Sequence, residues 1–105
     1  MKTKKELLID ILFVPTASIT EKDDAATDLE DFPENEVIKA LASVGKVKTE
    51  DDTVLNSCGE SLGSIWVRLN SFDPVIYSSL TNTARLGAKY IIESRKSEWM
   101  RLYDL

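Results

Sequence analysis

The chain has 105 residues, 18 acids against 13 Lys and Arg, no histidine and a single cysteine, Cys58. That length fits one domain with one modest core. The net charge of −5 disfavours direct contact with nucleic-acid phosphates, an internal disulfide is excluded, and the commonest general base and zinc ligand is missing.

The elements read as helices throughout. Lys2, Lys4 and Lys5 lead into Leu7, Leu8, Ile11 and Leu12 at helical spacing, and Pro15 closes this first segment. The basic start followed by apolar residues looks superficially like a secretory signal, but Glu6 and Asp10 interrupt it and no clean small-residue cleavage site follows. No apolar stretch reaches the roughly 18–20 residues that span a bilayer, so a soluble, cytoplasmic protein is expected. The lone thiol agrees with a reducing compartment.

Ser18 with Glu21 reads as a capping box opening a second helix, with Ala25, Ala26 and Leu29 inside. Over residues 21–36 the chain places Glu21, Asp23, Asp24, Asp28, Glu30, Asp31, Glu34 and Glu36 against one base, Lys22. Carboxylates in a first helical turn favour the macrodipole, so part of this block has a structural use. The remainder reads either as a solvated connecting face or as a surface for a basic partner.

Pro33 is placed to start a third helix carrying Val37, Ile38, Leu41 and Val44 inward, with Gly45 as its stop. Thr49 is the expected N-cap of a fourth, with Glu50, Asp51 and Asp52 in its first turn. Its stripe is Val54, Leu55, Cys58, Leu62, Ile65, Trp66 and Leu69, which makes Cys58 a core thiol and Trp66 a core ring. Gly59 and Gly63 lower helix propensity by about 1 kcal/mol each and therefore point to a helix packed very close by. Asp73-Pro74 opens a short fifth helix with Val75, Ile76 and Leu80. Asn82 or Thr81 caps a sixth, with Leu86, Tyr90 and Ile91 inward. Ser97-Glu98 restarts a terminal turn bearing Trp99, Leu102 and Tyr103, rings that pack across the last helix pair or stay half exposed as anchors. Phe72 and Tyr77 flank a turn open to a partner.

The expected fold is all-α, a single domain of six or seven helices in stacked antiparallel pairs. Residues 34–44 would pair with 50–69, and 74–80 with 83–96, at the spacing of HEAT-like repeats. The sequence leaves open whether residues 1–32 form the first layer of the stack or lie loosely over it. Charge is lopsided, net −6 over residues 1–52 and +1 over 53–105. The glycines match neither the dinucleotide fingerprint nor a P-loop, and Asp23-Asp24 and Asp51-Asp52 lack the spacing of a calcium loop. No catalytic residue, cofactor or metal ligand is therefore assigned.

The most distinctive wording is Val54-Leu55-Asn56-Ser57-Cys58-Gly59-Glu60-Ser61-Leu62-Gly63-Ser64-Ile65-Trp66, preceded by Ala40-Leu41-Ala42-Ser43-Val44-Gly45. Over residues 34–100 it resembles the HEAT-like helical immunity proteins of bacterial polymorphic toxin systems, including those of contact-dependent growth inhibition. In that family the motif is a packing signature and carries no catalytic role. The resemblance implies a small acidic monomer that neutralises one cognate toxin as a 1:1 complex. With the charge asymmetry, it points to a ribonuclease-type toxin whose basic cleft is occluded, with Asp23, Asp24, Asp28, Glu30, Asp31, Glu34, Asp51 and Asp52 as the contacting acids. An acidic helical adaptor or DNA mimic that blocks a nucleic-acid-binding protein is the alternative.

Overall fold

The computed structural model describes residues 1–105 as seven α-helices without a strand. They are α1 (Lys4–Phe13), α2 (Ile19–Asp28), α3 (Asn35–Gly45), α4 (Asp52–Leu69), α5 (Pro74–Ser79), α6 (Asn82–Arg95) and α7 (Glu98–Leu102). A 3-10 turn, Leu29–Asp31, extends α2.

Helix starts follow local chemistry. The Ser18–Glu21 capping box forms as expected, and a second one, Thr3 with Glu6, opens α1. Asp73 accepts a hydrogen bond from the Ile76 N–H at 2.9 Å with Pro74 in the first turn, and Thr81 caps α6 through the Ala84 N–H. Three boundaries differ from the sequence reading. Asp51, not Thr49, caps α4, its carboxylate accepting from the Thr53 N–H at 2.8 Å. Pro33 lies outside α3, which begins at Asn35. Gly45 stays in helical backbone within the last turn of α3 and no glycine has positive φ, so it is not a left-handed stop. The left-handed stop belongs to Asn70 at the end of α4 (φ 51°), where the Ser71 N–H returns to the Trp66 carbonyl at 3.0 Å.

The helices form three hairpins, α1–α2, α3–α4 and α5–α6, stacked so that α2, α4 and α6 lie parallel in one layer. Cross-helix pairs establish the direction. Asp23 meets Ser57, the Ala26 carbonyl meets Ser61, and the Asp31 carbonyl meets Arg68, advancing together along α2 and α4. In the same way Gly59 lies against Ala84, Gly63 against Ala88, and Ser64 against Arg95 on α6. Residues 1–32 thus form the first layer of the stack, and α1 is tied to the start of α3 by Lys5, which bridges Glu34 and Glu36.

Helix α4 is the axis of the molecule, buried over Val54 and Leu55 and from Ser57 to Trp66 with the exception of half-buried Glu60. Gly59 and Gly63 play the part their spacing predicts. A Cβ on Gly59 would sit 2.7 Å from the carbonyl carbon of Ala84, and one on Gly63 would sit 3.1 Å from the Cα of Ala88. Gly87 answers from α6, where a Cβ would lie 2.6 Å from the Asn56 carbonyl oxygen. Three glycines and two alanines therefore let the α4 and α6 backbones touch.

That contact corrects the assignment of α6. Its inward face is Ala84, Gly87, Ala88 and Ile92, while Leu86 and Tyr90 point to solvent and Ile91 is half-buried. Val75 on α5 and Leu69 at the end of α4 are also exposed rather than inward. The rings at the C-terminal end close around Phe72, with centroids 5.2 Å from Trp66, 5.4 Å from Tyr77, 5.8 Å from Trp99 and 4.6 Å from Tyr103. Phe72 is therefore the hub of a buried cluster, not a surface for a partner. Trp99 is buried with it, and only Tyr103 of the terminal pair remains exposed.

Candidate partner-binding surface

Three parallel helices present three N-termini at one rim of the layer, and the acids of the chain divide by their position relative to it. At this rim α2 meets the start of α4. The Ser57 hydroxyl donates to the half-buried Asp23 carboxylate, and Lys22 lies 3.7 Å from Glu50. Glu50 and Asp23 stand close enough to Cys58 to raise its thiol pKa, although burial is the larger cause; together they push it up to about 12. Such a thiol is inert as a nucleophile, in agreement with its reading as core. Asp51 is committed to its cap, while Asp52 is exposed and accepts from the Thr83 hydroxyl at 3.3 Å.

Along the outer edge of α2, away from α4, stand Asp24 and Asp28, and Asp31 follows on the 3-10 turn, where the chain comes against Arg68 of α4. The offsets of four and three residues place these acids on one side of the helix. All three are exposed, and none forms an ion pair. The opposite side of α2 is apolar, with Ala25 and Ala26 buried against the core, so the row is held on a packed scaffold. Its start is fixed by the Glu21–Ser18 box, in which the Ser18 N–H holds the Glu21 carboxyl below its ordinary range.

At the far rim Glu30 and Asp31 line a groove with Ser64, Val67, Arg68 and Arg95. Arg95 donates to the Ser64 hydroxyl at 3.3 Å and Arg68 to the Asp31 carbonyl at 3.5 Å, so basic groups temper the acids there. Glu34 lies in the other layer, where Lys5 shares its charge between Glu34 and Glu36. The hydrogen bond from Lys5 lowers the Glu34 pKa, and the two carboxylates hold the ammonium well above its ordinary range.

The eight candidate acids thus do not form one cluster. Asp24 and Asp28 share an outer edge that runs on to Asp31, Asp23, Asp51 and Asp52 sit towards the N-terminal rim, Glu30 and Asp31 border a mixed-charge groove, and Glu34 is paired on the far side of the hairpin. Asp23, Glu34 and Asp51 already serve the fold. Lys5 as the base that bridges Glu34 and Glu36 was not legible in the sequence, since the two partners lie 29 and 31 residues away.

No group of three or more Cys, Asp or Glu side chains is gathered closely enough to share a metal ion, and no helix is long and apolar enough to cross a membrane. Every buried side-chain nitrogen or oxygen has a hydrogen-bond partner. Comparison with models of protein families, with curated proteins and with solved structures finds no match to this chain.

Proposed function

We propose that the chain is an immunity-type inhibitor that binds a basic protein, a ribonuclease-type toxin domain, and excludes substrate from its cleft. The observation that supports this reading is the run Asp24, Asp28 and Asp31, three exposed carboxylates in no ion pair, the first two on the outer edge of a packed helix and the third at the rim where Arg68 comes close. A nuclease must hold a polyanion, so its cleft is basic. A rigid acidic edge takes the place of substrate without reorganising and steers association, with on-rates that reach ~10⁸ M⁻¹s⁻¹ in favourable cases. Asp52 extends the acidic surface at the N-terminal rim, whereas Glu34 is held by Lys5, which it shares with Glu36.

The experiment is co-expression with the product of the neighbouring reading frame, followed by binding kinetics on the purified pair. The triple substitution Asp24→Lys, Asp28→Lys, Asp31→Lys should slow association about 10-fold or more at low salt and flatten its salt dependence. An unchanged rate and salt slope would reduce the row to a solvated face. The spacing of about one helical turn between successive acids also suits a DNA mimic that blocks a nucleic-acid-binding protein. In that case the neighbour has no nuclease activity to inhibit, and the chain instead displaces bound DNA from it.

A further inference from the structure

We infer that Arg68 and Arg95, at the end of the acidic run, form a clamp for a carboxylate of the bound protein and so fix its register; the partner then carries an acid beside its basic surface. This rests on the immunity-type reading above and adds a feature that an acidic surface alone would not require. The two guanidiniums reach one groove from different helices, Arg68 from the last turn of α4 and Arg95 from the last turn of α6. Bases at helix C-termini complement the macrodipole, a role that draws them to the carbonyls of their own last turn. Neither is bonded there. Arg68 donates to the Asp31 carbonyl at 3.5 Å, and Arg95 donates to the hydroxyl of Ser64 on α4 at 3.3 Å. Ser64 is only 7% exposed, which makes it a fixed anchor for Arg95.

Each of these contacts uses one N–H and leaves the rest of the guanidinium fork unspent. The four ion pairs of the chain all use lysine, so no arginine is committed to a carboxylate. Glu30 and Asp31 border the same groove, yet neither is ion-paired to Arg68 or Arg95. The groove measures about 270 Å³, below the roughly 300–1,000 Å³ of small-molecule sites, and Val67 is the one apolar residue of its lining. It suits one or two polar side chains of a protein better than a free small molecule.

The order of sign along the surface gives these bases their use. From the N-terminal rim it carries Asp24, Asp28 and Asp31, then Arg68, then Arg95 across the groove. Asp24 and Asp28 stand about 6 Å apart along α2, so a basic patch can slip by one turn on a row of like charge, or dock reversed, and still find acids. A change of sign at one end removes both alternatives. A partner slipped past Asp31, or reversed, sets its bases against two guanidiniums, and like charges brought together across an interface are costly. In the correct register the partner places a carboxylate at Arg68 and Arg95, whose planar forks donate to it pairwise. The sign change also counts against a DNA mimic, since the phosphates of a duplex repeat one sign throughout.

The test follows association and dissociation of the full chain with the purified product of the neighbouring reading frame. Steering alone and the clamp predict opposite signs. Arg68→Glu with Arg95→Glu makes the chain more acidic, so steering towards a basic partner predicts faster association and binding at least as tight. The clamp predicts dissociation ~10–100-fold faster at ~150 mM salt, with association within about 3-fold of the parent. Arg68→Lys with Arg95→Lys keeps the charge and loses the fork, and should fall between the two. Both side chains are exposed, so the circular-dichroism spectrum and melting temperature of the free variants should match the parent. Replacing each surface acid of the partner by Lys in turn should yield a substitution that restores binding to the Glu form and weakens binding to the parent. A Glu form bound as tightly as the parent or tighter, or a scan without a restoring substitution, would overturn the clamp and leave the immunity-type reading standing. A neighbour that binds no form of the chain would overturn both.

Discussion

Replacing Gly59 by Ala tests whether the contact between the α4 and α6 backbones organises the fold. Helix propensity alone predicts a gain of about 1 kcal/mol, since Ala is the best and Gly nearly the worst helix former. The structure predicts the opposite sign. A Cβ at position 59 meets the Ala84 carbonyl carbon at 2.7 Å and its Cα at 3.0 Å, where ordinary contact begins at 3.4 Å. These atoms are backbone in the middle of a helix, so α6 must retreat as a body, by roughly 1 Å. A gap of that size forfeits about a quarter to a half of each dispersion contact along the seam, which includes buried Ala84 and Ala88. Overpacking of this kind costs about 1–3 kcal/mol, and because the opposing atoms are backbone the upper end applies, so after the propensity gain of about 1 kcal/mol the net loss should be ~2 kcal/mol. The melting temperature should fall by ~8–16 °C. Gly45→Ala is the control. Its Cβ would meet the Cδ2 atom of Leu80 at 2.9 Å, the free end of a side chain that can rotate, and its net effect should stay within about 1 kcal/mol. Urea unfolding followed by far-ultraviolet circular dichroism and Trp fluorescence reads both variants. A Gly59→Ala chain as stable as the parent, or more so, would refute close backbone packing between α4 and α6.

Stability should decline on acidification below pH 4.5, because Glu6 and Glu21 have folded pKa values below that reference, first through the Thr3 and Ser18 N–H groups and next through their hydroxyls. The unfolded chain binds protons there before the folded one does, so the stabilisation is full above pH 4.5 and is lost as pH falls through the lowered values. Thermal melts from pH 6 to pH 3 should show a shallower decline for Glu6→Gln with Glu21→Gln than for the parent, and equal slopes would exclude the capping carboxylates as the cause. Cys58 is buried and its pKa is pushed up to about 12, so it should not react with a thiol reagent at pH 8 until the chain unfolds. Stoichiometric labelling of the native protein within minutes would contradict its place in the core.

What the sequence carried depended on how local each feature is. Ser18–Glu21 and Asp73-Pro74 were legible because a cap is settled within four residues. The buried stripe of α4 was legible because almost every large residue on it is apolar and its two glycines leave no other use for their positions. The face of α6 was misread for the complementary reason. The large residues Leu86 and Tyr90 suggest the inward face, while the contact is made by the small ones, Ala84, Gly87 and Ala88. Their spacing matches Gly59 and Gly63 on α4, and that pairing was the signal available. In the acidic block the exposed row was visible as charge, but its division was not, because Lys5, Ser57 and Arg68 come from other helices.

The sequence by itself determined that the chain is helical, that residues 54–69 carry a long apolar stripe, and that its acids crowd into residues 21–36. Periodicity, capping and charge are properties of neighbouring residues, and neighbours are what a sequence shows. Only the tertiary structure decided which acids remain free, that α2, α4 and α6 run parallel, and that α6 turns Leu86 and Tyr90 outward. Each of these follows from backbones brought together across some 25 residues or more, where the absence of a side chain governs how close two helices come and so which faces are left for water or for a partner.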